Sequence, residues 1–341
     1  MEYKEKLRST KKTKLALLLT TTMLFAGLQA GCGNMASNET KTRKVDSSAS
    51  KGTGEKGNTP ADPTAYPRML KDEMGNEVTL PASPAKIFAP NLEDTLVALG
   101  VAPVMQWSTG SRPKEYLQDQ LKDVPTITFA GGLPPEPEAV MAFEPDLILL
   151  HNSYHMDSGV YDKYKKIAPT YVFKHANADL ESSVRIVGDL LGKSAEAEQA
   201  LQNYKAYVET AKKELAPHIQ GKKAAIIRFN GKGMFFIKYD FFSGYVLTHE
   251  LGFTPSQVVT GGDVNLSLES LPDLDADYIF LINDAGTGDA HEKEMTESPV
   301  WKGMDAVKNG RTFKVEGDHW LSGGLIAHMK VIDDVKGLIA K

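Results

Sequence analysis

Short apolar runs alternate with longer amphipathic stretches along most of this chain, and the alternation has the rhythm of strands separated by helices. The runs in the first half are KIFA at 86–89, PVMQW at 103–107, DLILL at 146–150 and TYVF at 170–173. The second half repeats the pattern with KAAIIRF at 223–229, MFFIK at 234–238, DYIFLI at 277–282 and TFKV at 312–315. Runs of this length, spaced by helix-sized segments, predict βαβα units, in which helices cover a parallel sheet. Two α/β lobes are the simplest account.

Between the two halves lies a stretch with a clear helical period. Ala197, Leu201, Tyr204, Val208, Ala211 and Leu215 recur at three- and four-residue steps, the signature of one apolar helix face. Ser194 is a candidate N-cap, and Glu196 and Glu198 suit the positive end of the helix dipole. Pro217 is expected to stop the helix, which at 1.5 Å per residue would be a rod of about 33 Å. Such a rod can join two lobes as one stiff crossing, or lie on the surface of a single domain.

The amino terminus has a different pattern. A charged segment, Lys4 to Lys14, precedes apolar positions from Leu15 to Leu28 and then Ala30, Gly31 and Cys32, the only cysteine in 341 residues. Charge, a short apolar run and small residues in that order predict a secretory signal at 1–31. The run LQAGC resembles the lipobox of bacterial lipoproteins, which implies cleavage before Cys32 and acylation of its sulfur and new amine. More than one buried acyl chain makes a stable anchor. Residues 32–66 are rich in Ser, Thr, Lys, Asn and Gly and bury too little apolar surface to offset chain entropy, so a disordered tether is expected.

Removing 1–31 takes away six Lys/Arg and two Asp/Glu, so the net charge moves from −5 to −9. That balance argues against nucleic acid as a partner. A lone cysteine allows no disulfide framework within the chain. The Gly-rich pieces AGGLPP and TGGDVN lack the G-x-G-x-x-G order of a dinucleotide loop and no G-x-S-x-G elbow occurs, so the sequence does not read as an enzyme; a lipid-anchored hydrolase and a purely structural lipoprotein are the alternatives.

The halves also echo each other. PEAVMAFEPDLILL and LESLPDLDADYIFLI each run from a short helix into a strand, with Glu138 eight residues before Asp146 and Glu269 eight before Asp277. Both glutamates are expected at helix starts, where a capping role alone would account for them.

These segments, together with DEMGNEVTLPASPAKIFAP, EDTLVALGV and WKGMDAVKNGRTFKVEGDHWLSGG, resemble the substrate-binding proteins of iron-siderophore and cobalamin ABC importers. The resemblance covers nearly all of the chain from about Met69. It implies two Rossmann-like α/β lobes, 67–193 and 219–341, joined by a single long bridging helix at 194–218, with a ligand cleft between the lobes. It further implies a monomer with no cofactor of its own, anchored by lipid on the outer face of a bacterial cell membrane. Glu138 and Glu269 fall where the family docks one glutamate per lobe on its permease, which works with an ATPase.

Ligands of open α/β sheets meet the loops at the carboxyl ends of strands. Those loops offer Trp107, Arg112, His151, Tyr154, Arg228, Tyr239, Phe241, Phe242 and Trp320. Aromatic rings and a few cations suit an organic metal chelate, and Arg228, ending an apolar strand, is the prime cation. The scarcity of arginines in these loops favours a hydroxamate-type ferric complex over a catecholate. Haem and cobalamin are the other organic ligands to weigh. His151 and His155 are four apart and would suit zinc or manganese on a helix face, but a loop is expected there.

Overall fold

A computed structural model describes residues 65–109, 112–128, 135–157, 159–260 and 265–340. The signal segment, Cys32 and the tether up to residue 64 lie outside them. The described chain opens with an antiparallel hairpin, β1 (Arg68–Lys71) and β2 (Glu77–Leu80), in which Arg68 faces Leu80. Its turn is held by Asp72, whose Oδ1 accepts the Met74 and Asn76 amides at 3.0 and 2.7 Å.

In the first lobe β3 (Ile87–Phe88), β7 (Leu147–Leu150) and β8 (Thr170–Val172) pair in parallel in the order β3-β7-β8. Beside them β4 (Gln106–Thr109) pairs in parallel with β6 (Thr126–Thr128) and antiparallel with β5 (Arg112–Pro113). The Val104 amide donates to the Ile87 carbonyl at 2.9 Å, which sets the approach to β4 alongside β3.

The second lobe is a six-stranded mixed sheet. Its strands are β9 (Lys223–Asn230), β10 (Gly233–Phe236), β11 (Thr254–Pro255), β12 (Asn265–Leu266), β13 (Tyr278–Asn283) and β14 (Thr312–Val315). The main path is β12-β10-β9-β13-β14, and β11 pairs with β9. β13 is parallel to β9 and β14, but β10 is antiparallel to β9. This departs from the expected βαβ unit. Only Gly231 and Lys232 separate the two strands, and a two-residue link closes a hairpin, whereas a parallel crossover needs a dozen residues or more.

Alternation along the strands decides where each side chain goes. Leu147 and Leu149 of β7 and Ala224, Ile226, Phe280 and Ile282 of the second lobe enter one shared apolar cluster. Their neighbours Ile148 and Leu150 enter a separate first-lobe cluster, while Ala225, Ile227, Phe229, Ile279 and Leu281 enter a separate second-lobe cluster. The bridging helix, Ser194–Ile219, fills the shared cluster with Ala197, Leu201, Tyr204, Val208, Ala211, Leu215 and Ile219. The helical period thus marks the buried face of a rod of about 39 Å.

Pro217 does not stop this helix. It sits inside the last turn, and the chain continues to Ile219, which is 1% exposed. A proline there removes a single amide donor near the helix end, and burial of Ile219 outweighs that loss. The C-terminal helix, Leu325–Ile339, also packs into the shared cluster through Leu325, Val331, Ile332 and Val335. Among the described residues no helix is long and apolar enough to cross a membrane.

Candidate ligand cleft

The loops that follow the strands of the two lobes meet. The Tyr116 amide donates to Asp318 Oδ2 at 3.0 Å, and the Tyr116 and His319 rings lie 6.2 Å apart, edge to face. His175, three residues beyond β8, has its ring 5.9 Å from Phe241, which itself contacts Phe242 at 3.8 Å. A Cβ on Gly323 would come within 2.8 Å of Asn177 Cγ. Glycine is required there by close approach of the two lobes.

A buried carboxylate completes the junction. Asp94, 1% exposed on the helix Glu93–Ala98, accepts the amides of Ile326 at 3.1 Å and Ala327 at 2.9 Å, the first turn of the C-terminal helix. One lobe therefore supplies the anion at the positive end of a helix packed against the other. Burial pushes the Asp94 carboxyl up, against the lowering effect of those two amides. Behind this contact, on the bridging helix, the Tyr204 hydroxyl lies 2.9 Å from His328 Nδ1 and donates to Glu250.

Arg228 stands near the carboxyl end of β9, beside Ile282 of β13. Its Nε contacts Asp284 Oδ1 at 2.9 Å and Oδ2 at 3.0 Å, and its Nη2 contacts Oδ2 at 2.5 Å. The pair lies one strand from the turn at Gly317, where a Cβ would meet Ile282 Cγ2 at 2.9 Å. That turn leads into the Asp318 and His319 contact with the other lobe. Lys114, the buried cation of the first lobe, is likewise matched: its Nζ is 3.7 Å from Glu93 Oε2, and Glu93 Oε1 accepts the Trp107 amide at 2.8 Å.

His151 directly follows β7, and Tyr154–Asp157 forms a helical turn in place of the expected loop. This places the His151 and His155 rings 5.1 Å apart, with Nδ1 of the first 3.5 Å from Nε2 of the second, and an Asn152 amide nitrogen 2.8 Å from His151 Nε2. Burial, then His155, Lys114 and His175, push His151 down to about 3. His155 is lowered by burial as well. Both rings are therefore neutral at ordinary pH. Among the described residues no group of three or more His, Cys, Asp or Glu side chains is placed to hold a metal ion.

Of the other residues singled out by sequence, Tyr154 and Arg112 are exposed, Phe241 and Phe242 are half-buried where the lobes meet, and Glu138 and Glu269 are exposed on separate lobes. Trp107 is half-buried against the first lobe's separate cluster, and Tyr239 against the second lobe's. Trp320 is not a cleft residue. It is fully buried, its ring 4.9 Å from Phe280 and its indole N–H donating to Asp334 at 2.8 Å. The residues that position alone left unnamed are His175, Tyr116, Asp318 and Asp284. Asp284 follows β13 directly, so the strand-end rule that selected Arg228 would also have selected it.

A hollow of about 610 Å³, lined in part by Glu77, Tyr161, Lys165 and Pro169, sits at the opposite, amino end of β8 and is not part of this arrangement.

Comparison with known proteins agrees with this geometry. The sequence pattern described as periplasmic binding protein matches residues 89–318. The iron(3+)-hydroxamate-binding protein YxeB of Bacillus subtilis is 30% identical over 307 residues, 86% of this chain and 92% of its own length. The probable siderophore-binding lipoprotein YfiY of the same organism is 28% identical over 299 residues, 80% and 88% of the two chains. The crystal structure of Staphylococcus aureus SirA complexed with staphyloferrin B matches with a TM-score of 0.67 at 29% identity, covering 79% of this chain and 97% of that one.

Proposed function

We propose, from the premise that this chain belongs to the periplasmic binding protein family, that it captures a ferric siderophore of the hydroxamate type outside the cell and hands it to an ABC permease. The observation that carries this reading is the meeting of strand-end loops from two lobes, with Phe241, Phe242 and His175 at the junction and Arg228 near the carboxyl end of β9 in the second lobe. Flat rings cover the apolar body of an organic chelate, and a guanidinium donates to its oxygens. A relative of matching length is named for binding iron(3+)-hydroxamate, which supports the same ligand class.

The iron chelate is cargo, and the protein needs no cofactor of its own. Cleavage before Cys32 and acylation there would hold a monomer at the membrane surface, in line with a relative named as a lipoprotein. Glu138 and Glu269 would meet the permease, which its ATPase drives. Deleting the gene should abolish growth on a ferric hydroxamate as sole iron source, and the intact gene should restore it. Unimpaired growth and uptake in the deletion strain would refute the proposal.

A further inference from the structure

Arg228, near the carboxyl end of β9, and the buried Lys114 of the first lobe are both matched by carboxylates, Asp284 and Glu93. We infer that Asp284 determines specificity: by holding Arg228 in an ion pair at the strand ends, it cancels the charge that an anionic chelate would use, so the cleft favours ferric complexes that are neutral at iron. This rests on the ferric-siderophore reading above and goes beyond it by naming the residue that discriminates between ligand classes.

The geometry is specific. Asp284 engages Nε and Nη2 of Arg228 and leaves Nη1 outside the contact. The guanidinium can still donate a hydrogen bond to a neutral ligand oxygen, but it offers little net charge. The Asp284 side chain is 20% exposed and that of Arg228 36%, so solvent only partly screens the pair. Its backbone is held as well: the Asp284 amide donates to the Phe229 carbonyl at 2.9 Å, and the Asp284 carbonyl accepts from the Thr287 amide at 2.8 Å.

The consequence follows from the charge of the cargo. Three hydroxamate monoanions neutralise ferric iron, whereas three catecholate dianions leave the complex strongly negative. An anionic complex beside Asp284 meets a like charge, and like-charge juxtaposition is an efficient way to reject a ligand. A neutral complex does not.

The test compares equilibrium affinities of the full-length protein for ferrichrome, a neutral ferric tris-hydroxamate, and ferric enterobactin, an anionic ferric tris-catecholate. The wild-type chain should prefer ferrichrome. Asp284→Asn should raise relative affinity for the catecholate by about tenfold or more, and Asp284→Glu, which keeps the charge, should retain the original preference. Asp284→Ser provides a second neutral variant should the amide variant fail to fold. In Arg228→Met/Asp284→Asn, where the pair is neutral again, the gain should vanish.

An unchanged ratio in a folded neutral variant, with ferrichrome still bound, would overturn the role of Asp284 and leave the siderophore reading standing. If the wild-type chain bound no ferric siderophore, both would fall.

Discussion

Asp146 and Asp277 hold equivalent places in the two lobes. The Asp146 carboxylate accepts the Ala85 and Lys86 amides at 2.9 Å each, and its own amide donates to the Lys86 carbonyl at 2.9 Å. The Asp277 carboxylate accepts the Lys223 amide at 2.9 Å, and its amide donates to the Lys223 carbonyl at 2.9 Å. Each aspartate thus ties the start of β7 or β13 to the start of its parallel neighbour, β3 or β9. Eight residues earlier, Glu138 and Glu269 each occupy the second position of a short helical turn, Pro137–Met141 and Leu268–Asp273. The repeated spacing is a repeated structure.

The exposed glutamates predict a separation of binding from delivery. Glu138→Gln/Glu269→Gln should leave chelate affinity unchanged and reduce transport by about tenfold or more, with a smaller loss for either single variant. Raising ionic strength should weaken wild-type delivery in the same direction, because exposed charges are screened. Uptake of radiolabelled ferric siderophore, measured beside equilibrium binding, checks both.

The junction also predicts a stability effect. Asp94→Ala leaves the Ile326 and Ala327 amides without their carboxylate and should cost about 2–3 kcal/mol in urea unfolding. Gly324→Ala should be at least as damaging, since its Cβ would stand 2.1 Å from Asp94 Cγ and its φ is +148°. A loss below about 0.5 kcal/mol in both would contradict the cross-lobe contact.

Trp320 provides a contrast with Phe241, which lies where the lobes meet. Trp320→Leu removes a fully buried ring and orphans its bond to Asp334, with an expected loss of about 3 kcal/mol. At a temperature where the variant remains folded, chelate affinity should match wild type. Phe241→Ala should do the reverse, weakening binding with little loss of stability. Melting curves paired with ligand titrations distinguish the two outcomes.

Acid should destabilise the fold through His151. Its imidazole titrates near 6.5 when unfolded and near 3 when folded, so on acidification the unfolded chain takes up the proton first. The contribution is fully present above pH 6.5, falls as the pH drops toward 3, and amounts to a loss of roughly 2 kcal/mol by pH 5. His155 acts in the same sense, while Asp94 and Asp318, whose carboxyls burial pushes up, act in the opposite one. The stability difference between pH 7 and pH 5 should shrink in His151→Gln.

The apolar face of the bridging helix was legible because its period states burial directly, and every residue on it from Ala197 to Leu215 is buried. Its end was not, because a proline near a helix terminus is cheap enough for the burial of Ile219 to override. Strand-end position put Arg228 near the end of β9, where it lies, but missed the burial of Trp320. The turn Gly317–Trp320 folds that ring back onto Phe280, and the loop composition carries no sign of it. The contacts between lobes were the least readable: Asp94 and Ala327 are 233 residues apart in the chain, beyond the reach of any local pattern.

The central claim is that the meeting loops hold a ferric hydroxamate. The direct measurement is a calorimetric titration of the full-length protein with ferrichrome and with its iron-free form. One ferrichrome bound per chain with a dissociation constant of about 1 μM or tighter, weakened by Arg228→Ala or Phe241→Ala, is the predicted result. Absence of heat and of saturable binding with ferrichrome would contradict the account.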